Sequence, residues 1–276
     1  MTGPAEAGHD HRSRWPVVAA GGAGLLYAGL AAFALGAGTG YLPAIPTVGV
    51  AAVGAVVVAV ALFGWLDEAF LSARVTGDGK PLYLRTMRLF LYTDVATFAT
   101  GFVVYFYLRL AAWAPAEVPH LLSPIVAVNT LLLVASSGTF HLAASALDDG
   151  NARRFRGLMG LTLLLGVVFL GGQAFEYVEL LGEGFAPGGG AFAAVFYGLT
   201  GLHGLHVALG ALLIGIVLFR ALRDDYGPER DTSVETVELY WHFVDGVWLF
   251  LVATVYVGAT LCARGRASGR GCGAAR

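Results

Sequence analysis

The chain has 276 residues, 57% of them hydrophobic and only 13% charged, with a formal net charge of −2. Soluble domains carry roughly 25% charged residues, so this balance excludes an ordinary soluble fold and points to an integral membrane protein. A near-neutral charge without a long basic cluster excludes a nucleic-acid-binding surface.

The first fifteen residues, Met1–Trp15, are polar and include His9, Asp10, His11, Arg12 and Arg14. They lack the short apolar core and small-residue cleavage site of a signal peptide. A membrane span needs about 20 mostly apolar residues, and seven segments qualify: 16–38, 43–66, 85–113, 121–147, 155–180, 191–222 and 236–263. The first two are rich in Ala, Gly and Val, carry no internal charge and are joined by a very short connection around Gly38–Pro43. They are expected to form an antiparallel hairpin. A longer polar loop follows from Asp67 to Arg85, with Gly77-Asp78-Gly79 and Pro81. From the third span onward, polar residues enter the membrane segments. The expected organisation is a polar N-terminal tail over 1–15, a two-helix hairpin over 16–66, a cytoplasmic loop over 67–84, a five-helix bundle over 85–263 and a basic C-terminal tail over 264–276. No segment alternates in polarity as a β-barrel strand does, so the fold class is all-α. The two halves show no obvious repeat, which weakens an inverted-repeat transporter.

Lys and Arg concentrate in cytoplasmic loops. With the N-terminus cytoplasmic, that side holds Arg12, Arg14, Arg74, Lys80, Arg85, Arg88, Arg153, Arg154, Arg156, Arg220, Arg223 and Arg230, twelve of the 17 basic residues. The outer loops hold only Arg109. Arg264, Arg266, Arg270 and Arg276 follow the seventh span, which places that tail outside, against the rule. The loop pattern nonetheless favours seven spans, with the N-terminus inside and the C-terminus outside. Cys262 and Cys272 have neither disulfide-framework nor metal-ligand spacing.

Ionisable residues at bilayer depth are costly and usually face other helices. In the third span Asp94 follows Tyr92 and Thr93, with Thr97 and Thr100 beyond. Two readings stand: a protonatable carboxylate inside the bundle, or an interhelical hydrogen-bonding residue. In the fourth span Thr130, Ser137 and His141 share one face, a pattern that links helices in membranes; His141 reads as a packed, hydrogen-bonded histidine. The fifth span ends in Gln173, Glu176, Tyr177 and Glu179, with Glu176 the deeper carboxylate. In the sixth span Gly204, Ala208, Ala211 and Gly215 form a small-residue stripe expected to admit a neighbouring helix closely. His203 and His206 stand beside it, three residues apart. A di-iron bundle would carry Glu-x-x-His on two helices, and none lies on the spans. In the seventh span Glu238, His242, Asp245 and Trp248 recur every three or four residues, a single helical stripe.

These strings carry a resemblance. NTLLLVASSGTFHLAASAL from Asn129, LGVVFLGGQAFEYVEL ending at Leu180, GLHGLHVALG with Arg220 at the end of its span, and VELYWHFVDGVWLFL closely resemble subunit III of the haem–copper terminal oxidases, cytochrome c oxidase subunit III. The resemblance covers all seven spans in number and order and is sharpest over the last four. It implies a two-helix hairpin splayed from a five-helix bundle, with a V-shaped cleft holding phospholipid. It implies an accessory subunit without its own haem or copper. Such a subunit packs against the catalytic subunit I, which holds the haems and active-site copper, alongside a copper-bearing subunit II. The family's subunit is thought to sustain proton uptake, to protect against turnover inactivation and to offer oxygen a lipid-lined route.

Residue by residue, Thr93-Asp94 stands where the family bears a buried Ser-Glu carboxylate, so the side chain here is shorter. Arg220 matches an arginine at the lipid-cleft edge. Trp65 and Asp67 resemble a Trp/Asp cluster at the end of the second helix; the basic and histidine residues that follow there in many members are missing. His203, His206, Glu176, His242 and Asp245 match family positions and, with His141, read as the polar interior of the bundle. The implied setting is a prokaryotic plasma membrane, in a complex that reduces oxygen to water and moves protons. A quinol oxidase or a nitric oxide reductase accessory protein is the alternative within the family. Outside it, a proton-coupled transporter using Asp94, Glu176 and Asp245, or a metal-dependent membrane oxygenase, remains open.

Overall fold

The computed structural model describes residues 14–39, 44–66, 80–110, 121–227 and 231–258. Seven helices follow in order: α1 (Trp15–Thr39), α2 (Ala44–Leu66), α3 (Lys80–Leu110), α4 (Pro124–Asp148), α5 (Ala152–Gly182), α6 (Ala191–Ala221) and α7 (Thr232–Leu251). Beyond α7 the chain continues without a break into a π-helical stretch, Val252–Val257. All seven helices are long and apolar enough to cross a membrane, and the described residues contain no strand. The chain is therefore an all-α, multi-pass membrane protein, as its sequence predicts.

The chain divides into two compact units, Met1–Arg74 and Val75–Arg276. In the first, α1 and α2 pack so closely that Gly22, Gly29 and Gly54 have no room for a side chain. A Cβ at Gly29 would lie 2.8 Å from the Ala51 Cα, and one at Gly54 would lie 2.7 Å from the Leu26 Cα. Lipid tails are as apolar as leucine, so helix pairing in a bilayer comes from close packing rather than from water exclusion. The hairpin's Ala/Gly content is thus its binding surface.

In the second unit α7 packs against α3, α4 and α6, while α5 lies against α4 and α6. α7 is the most buried of the seven spans. α3 and α7 both begin earlier than hydropathy alone places them. Lys80 Nζ lies 2.6 Å from Asp231 Oδ2 and 2.9 Å from Glu235 Oε2, tying the start of α3 to the start of α7. The turn between α4 and α5 is only three residues long; Gly150 adopts φ +71° there, and the Asn151 side chain accepts the backbone N–H of Arg154 at 3.1 Å. A left-handed residue in so short a turn favours glycine.

The small-residue stripe of α6 does not make the close approach its spacing predicts. A Cβ at Gly204 would meet nothing within 4 Å, and Ala208 is exposed. The face that packs is the adjacent one, carrying His203, Val207, Gly210, Ile214 and Val217, all buried. There a Cβ at Gly210 would lie 2.6 Å from the Trp241 ring. Glycine marks close packing here because a bulky aromatic fills the space, not because another backbone does.

Candidate functional site

The polar side chains of the second unit fall into three groups. The first spans α3 and α6. Asp94 Oδ2 lies 3.7 Å from His206 Nε2, and both side chains are largely shielded. His206 is oriented by its other nitrogen: Nδ1–H donates to the Leu202 carbonyl at 2.8 Å. That bond leaves Nε2 to face Asp94. The Phe98 ring packs against the imidazole at 5.0 Å, and Tyr240 of α7 donates its hydroxyl to the His206 carbonyl at 3.1 Å. Asp94 is thus paired across the bundle with a histidine, which supports an interhelical role and keeps a protonatable pair in place.

The second group lies between α5 and the end of α7. Gln173 donates its amide to Glu176 Oε2 at 2.9 Å, and the Tyr256 hydroxyl approaches the same oxygen at 3.5 Å. Both helical residues are buried. His203, fully buried, stacks on Trp248 at 5.2 Å with Phe169 edge-on at 6.1 Å, and neither of its ring nitrogens has a hydrogen-bond partner among the described residues. The two histidines of α6 therefore do different things: His206 pairs with a carboxylate, and His203 sits in an aromatic box.

The third group joins α4 to α7. His141 Nδ1 lies 3.2 Å from Glu238 Oε1, and His242 Nε2 lies 3.5 Å from the same oxygen. His242 Nδ1 is 3.0 Å from Ser137 Oγ, and Ser137 donates to Asp245 Oδ2. One turn further along, Trp248 donates its indole N–H to Thr130 Oγ1 at 3.0 Å. The face shared by Thr130, Ser137 and His141 and the stripe running from Glu238 to Trp248 are thus the two sides of one contact. His141 and His242 are not interior residues, however: their side chains are 75% and 44% exposed. Of the ionisable residues in this group only Asp245 is buried in the chain itself.

Among the residues matched to a lipid cleft, Arg220 is 8% exposed and engages its own chain. Its Nε lies 3.9 Å from Asp225 Oδ2, and its guanidinium sits 5.1 Å from the centre of the Tyr226 ring. Burial pushes the Tyr226 phenol up from its ordinary value, against the lowering effects of the Ser233 hydrogen bond and the Arg220 charge. Trp65 is 41% exposed near the end of α2, and Asp67 lies outside the described residues.

Reading by polarity and stripe does not single out Trp241 or Tyr256, both fully buried. Trp241 donates to Ser136 Oγ, and its ring fills the space beside Gly166 and Gly210. The available signal was those two glycines, facing an aromatic on a third helix. Among the described residues, no three His, Cys, Asp or Glu side chains converge as metal ligands would.

The seven spans and the polar residues on α3–α7 are matched together by one family model, described as "Cytochrome c oxidase subunit III", over residues 13–260. The chain belongs to the cytochrome c oxidase subunit III family. It is 38% identical over 172 residues to the "Cytochrome c oxidase subunit 3" of Synechocystis sp., an alignment covering 61% of this chain and 72% of that protein. It is 34% identical over 170 residues to the "Cytochrome bo(3) ubiquinol oxidase subunit 3" of Pseudomonas putida, covering 61% of this chain and 82% of that one. A rabbit relative, the "Cytochrome c oxidase subunit 3" of Oryctolagus cuniculus, is 29% identical over 217 residues, covering 74% and 82%. Each of the three polar groups ties helices of the second unit together.

Proposed function

We propose that the chain is the accessory subunit III of a haem–copper respiratory oxidase that reduces oxygen to water, in a prokaryotic plasma membrane. The observation that carries this is the family match across 13–260, which takes in all the described spans. The chain would work beside subunit I, which supplies the haems and active-site copper, and a copper-bearing subunit II. Its contribution would be to sustain proton uptake and to protect the complex during turnover. Asp94 is the carboxylate best suited to that role, because it faces His206 across α3 and α6 at 3.7 Å, an ion-pair distance. Phospholipid is the expected bound molecule. An apolar groove of about 530 Å³ along α3 and α7, lined by Phe98, Phe102, Phe106, Phe243 and Phe250, offers an acyl chain the right surface. Lipid contacts through Trp65, Asp67 and Arg220, and an N-terminus facing the cytoplasm, belong to the same proposal.

Relatives named for both cytochrome c and ubiquinol oxidases favour neither electron donor. Donor choice rests with the other subunits. Affinity purification of the full chain from its native membrane tests the proposal directly. Co-purification of a haem-bearing subunit with a reduced-minus-oxidised haem spectrum is expected. A haem-free preparation that transports a solute in liposomes would instead establish a proton-coupled transporter.

A further inference from the structure

We propose that Asn129 of α4, Gln173 of α5 and His203 of α6 hold ordered water inside the second unit, in a buried hydration site beside Trp248 of α7.

The helices α4, α5, α6 and α7 close a ring: α4 packs on α5, α5 on α6, α6 on α7 and α7 on α4. Contacts across the ring put the three residues at one level. Thr139 and Thr162 bond at 2.8 Å. Ten residues from that bond, in opposite directions along the antiparallel pair, Asn129 lies against Gly172, where a Cβ would stand 2.9 Å from the Asn129 Cγ. Gln173 is the next residue of α5. Tyr177 and Thr200 bond at 2.7 Å; four residues back from the first is Gln173, and three on from the second is His203. Trp248 joins the two ends of this arc. It donates to Thr130 Oγ1 at 3.0 Å and stacks on His203 at 5.2 Å. Trp248 lies about 5 Å from the middle of the 26-residue seventh span, well inside a hydrocarbon core of about 30 Å. Lipid offers no hydrogen bond at that depth, so polar groups there need partners within the protein.

Asn129, Gln173 and His203 are 1%, 4% and 0% exposed. Yet Asn129 Nδ2, Gln173 Oε1 and both ring nitrogens of His203 have no hydrogen-bond partner among the described residues. A buried polar atom left unpaired bears its full desolvation cost. The three side chains are also held in place by their other contacts. Gln173 donates its amide to Glu176 Oε2 at 2.9 Å, which commits its nitrogen and leaves the carbonyl oxygen. The His203 ring lies between the face of Trp248 and the edge-on ring of Phe169. His206, on the same helix, shows what an unclamped ring does: its Nδ1–H donates to the carbonyl of Leu202, four residues back, at 2.8 Å. The stacked ring of His203 makes no such bond.

The donor set selects the ligand. Asn129 presents an N–H, Gln173 a carbonyl oxygen, and a neutral imidazole one donor and one acceptor. A cation would leave the Asn129 donor unmet, and an anion the Gln173 acceptor. Water both donates and accepts, and a buried water typically makes about three hydrogen bonds to groups of this kind. The two ring nitrogens diverge, so one water cannot bond both, and the site takes at least two. Such water ties α4, α5 and α6 together in a bundle otherwise held by close packing.

The test is a cryo-electron microscopy map of the full chain in its native complex, at a resolution that shows buried water elsewhere in that complex. Density peaks are expected within about 2.7–3.2 Å of Asn129 Nδ2, Gln173 Oε1 and the His203 nitrogens. Asn129 bonded directly to Gln173, His203 turned onto the Leu199 carbonyl, or no density between the three overturns the site. Asn129→Leu supplies a second measurement. It is expected to lower Tm by several degrees, and adding His203→Phe is expected to lower it little further, because removing both partners of a buried polar contact is nearly neutral beyond the loss of one. Fully additive losses, as for independent sites, also overturn the shared water. Should either variant fail to fold, the wild-type map alone decides.

Discussion

Trp241 donates its indole N–H to Ser136 Oγ at 3.0 Å, with both side chains fully buried. The same ring fills the space beside Gly166 of α5 and Gly210 of α6. One side chain of α7 thereby fixes the spacing of three neighbouring helices, and a bundle held by close packing rather than water exclusion depends on such a piece.

Enlarging Gly210 should therefore be costly. Gly210→Val drives a methyl-bearing Cβ into the Trp241 ring, 2.6 Å away before relaxation, and overpacking of this kind costs about 1–3 kcal/mol or more. Gly204→Val on the same helix meets open space. Thermal unfolding of the purified complex should show a clear drop in Tm for the first and near-wild-type behaviour for the second.

The hairpin offers a parallel comparison. Gly54→Leu must push α2 off the Leu26 backbone, whereas a Cβ at Gly49 meets nothing within 4 Å. Limited proteolysis in detergent should find the α1–α2 region readily cut in Gly54→Leu and as resistant as wild type in Gly49→Leu.

Asp94→Asn keeps the shape of the side chain and removes its charge beside His206. Assembly is expected to survive, with haem content unchanged. Oxidase activity should decay faster during continuous turnover. An inactivation rate equal to wild type would remove Asp94 from that role.

A pH dependence follows from Tyr226, which lies outside the spans. Its phenol is raised in the folded chain, chiefly by burial, above the unfolded value near 10. The stability it contributes is complete below about pH 10 and is lost as pH rises through the folded value, at up to about 1.4 kcal/mol per pH unit. Tyr226→Phe should show a shallower decline of Tm above pH 10 than wild type.

Much of this was legible in the sequence because a bilayer imposes simple rules. Seven apolar runs had to become seven helices, and polar residues placed every three or four positions had to face one another. The stripe from Glu238 to Trp248 and the face from Thr130 to His141 did meet. Legibility ended where period and polarity no longer separate alternatives. A stripe of Gly and Ala looks the same whether a helix or empty space lies beyond it, so Gly204 and Gly215 predicted an approach that Gly210 makes. Polarity likewise gave no sign that His141 and His242 face outward, because a polar residue on an exposed face carries the same pattern as one buried in the bundle. Trp241 and Tyr256 were hidden among many aromatics, and only three-dimensional packing distinguishes them.

The π-helical stretch after α7 sets the phase of the last described turn. Leu251 and Tyr256 are five residues apart and both fully buried. In an α-helix, with 3.6 residues per turn, they would point about 140° apart; the wider i→i+5 winding brings them to one side. That rotation delivers Tyr256 to Glu176, while Tyr105 of α3 donates its hydroxyl to the Thr254 carbonyl at 2.7 Å. The stretch behaves as a stored one-residue insertion. Length changes elsewhere in α7 would throw every later side chain out of phase. Here, removing one residue lets the winding return to 3.6 with Tyr256 still facing inward, so this is the place where the helix can absorb a deletion.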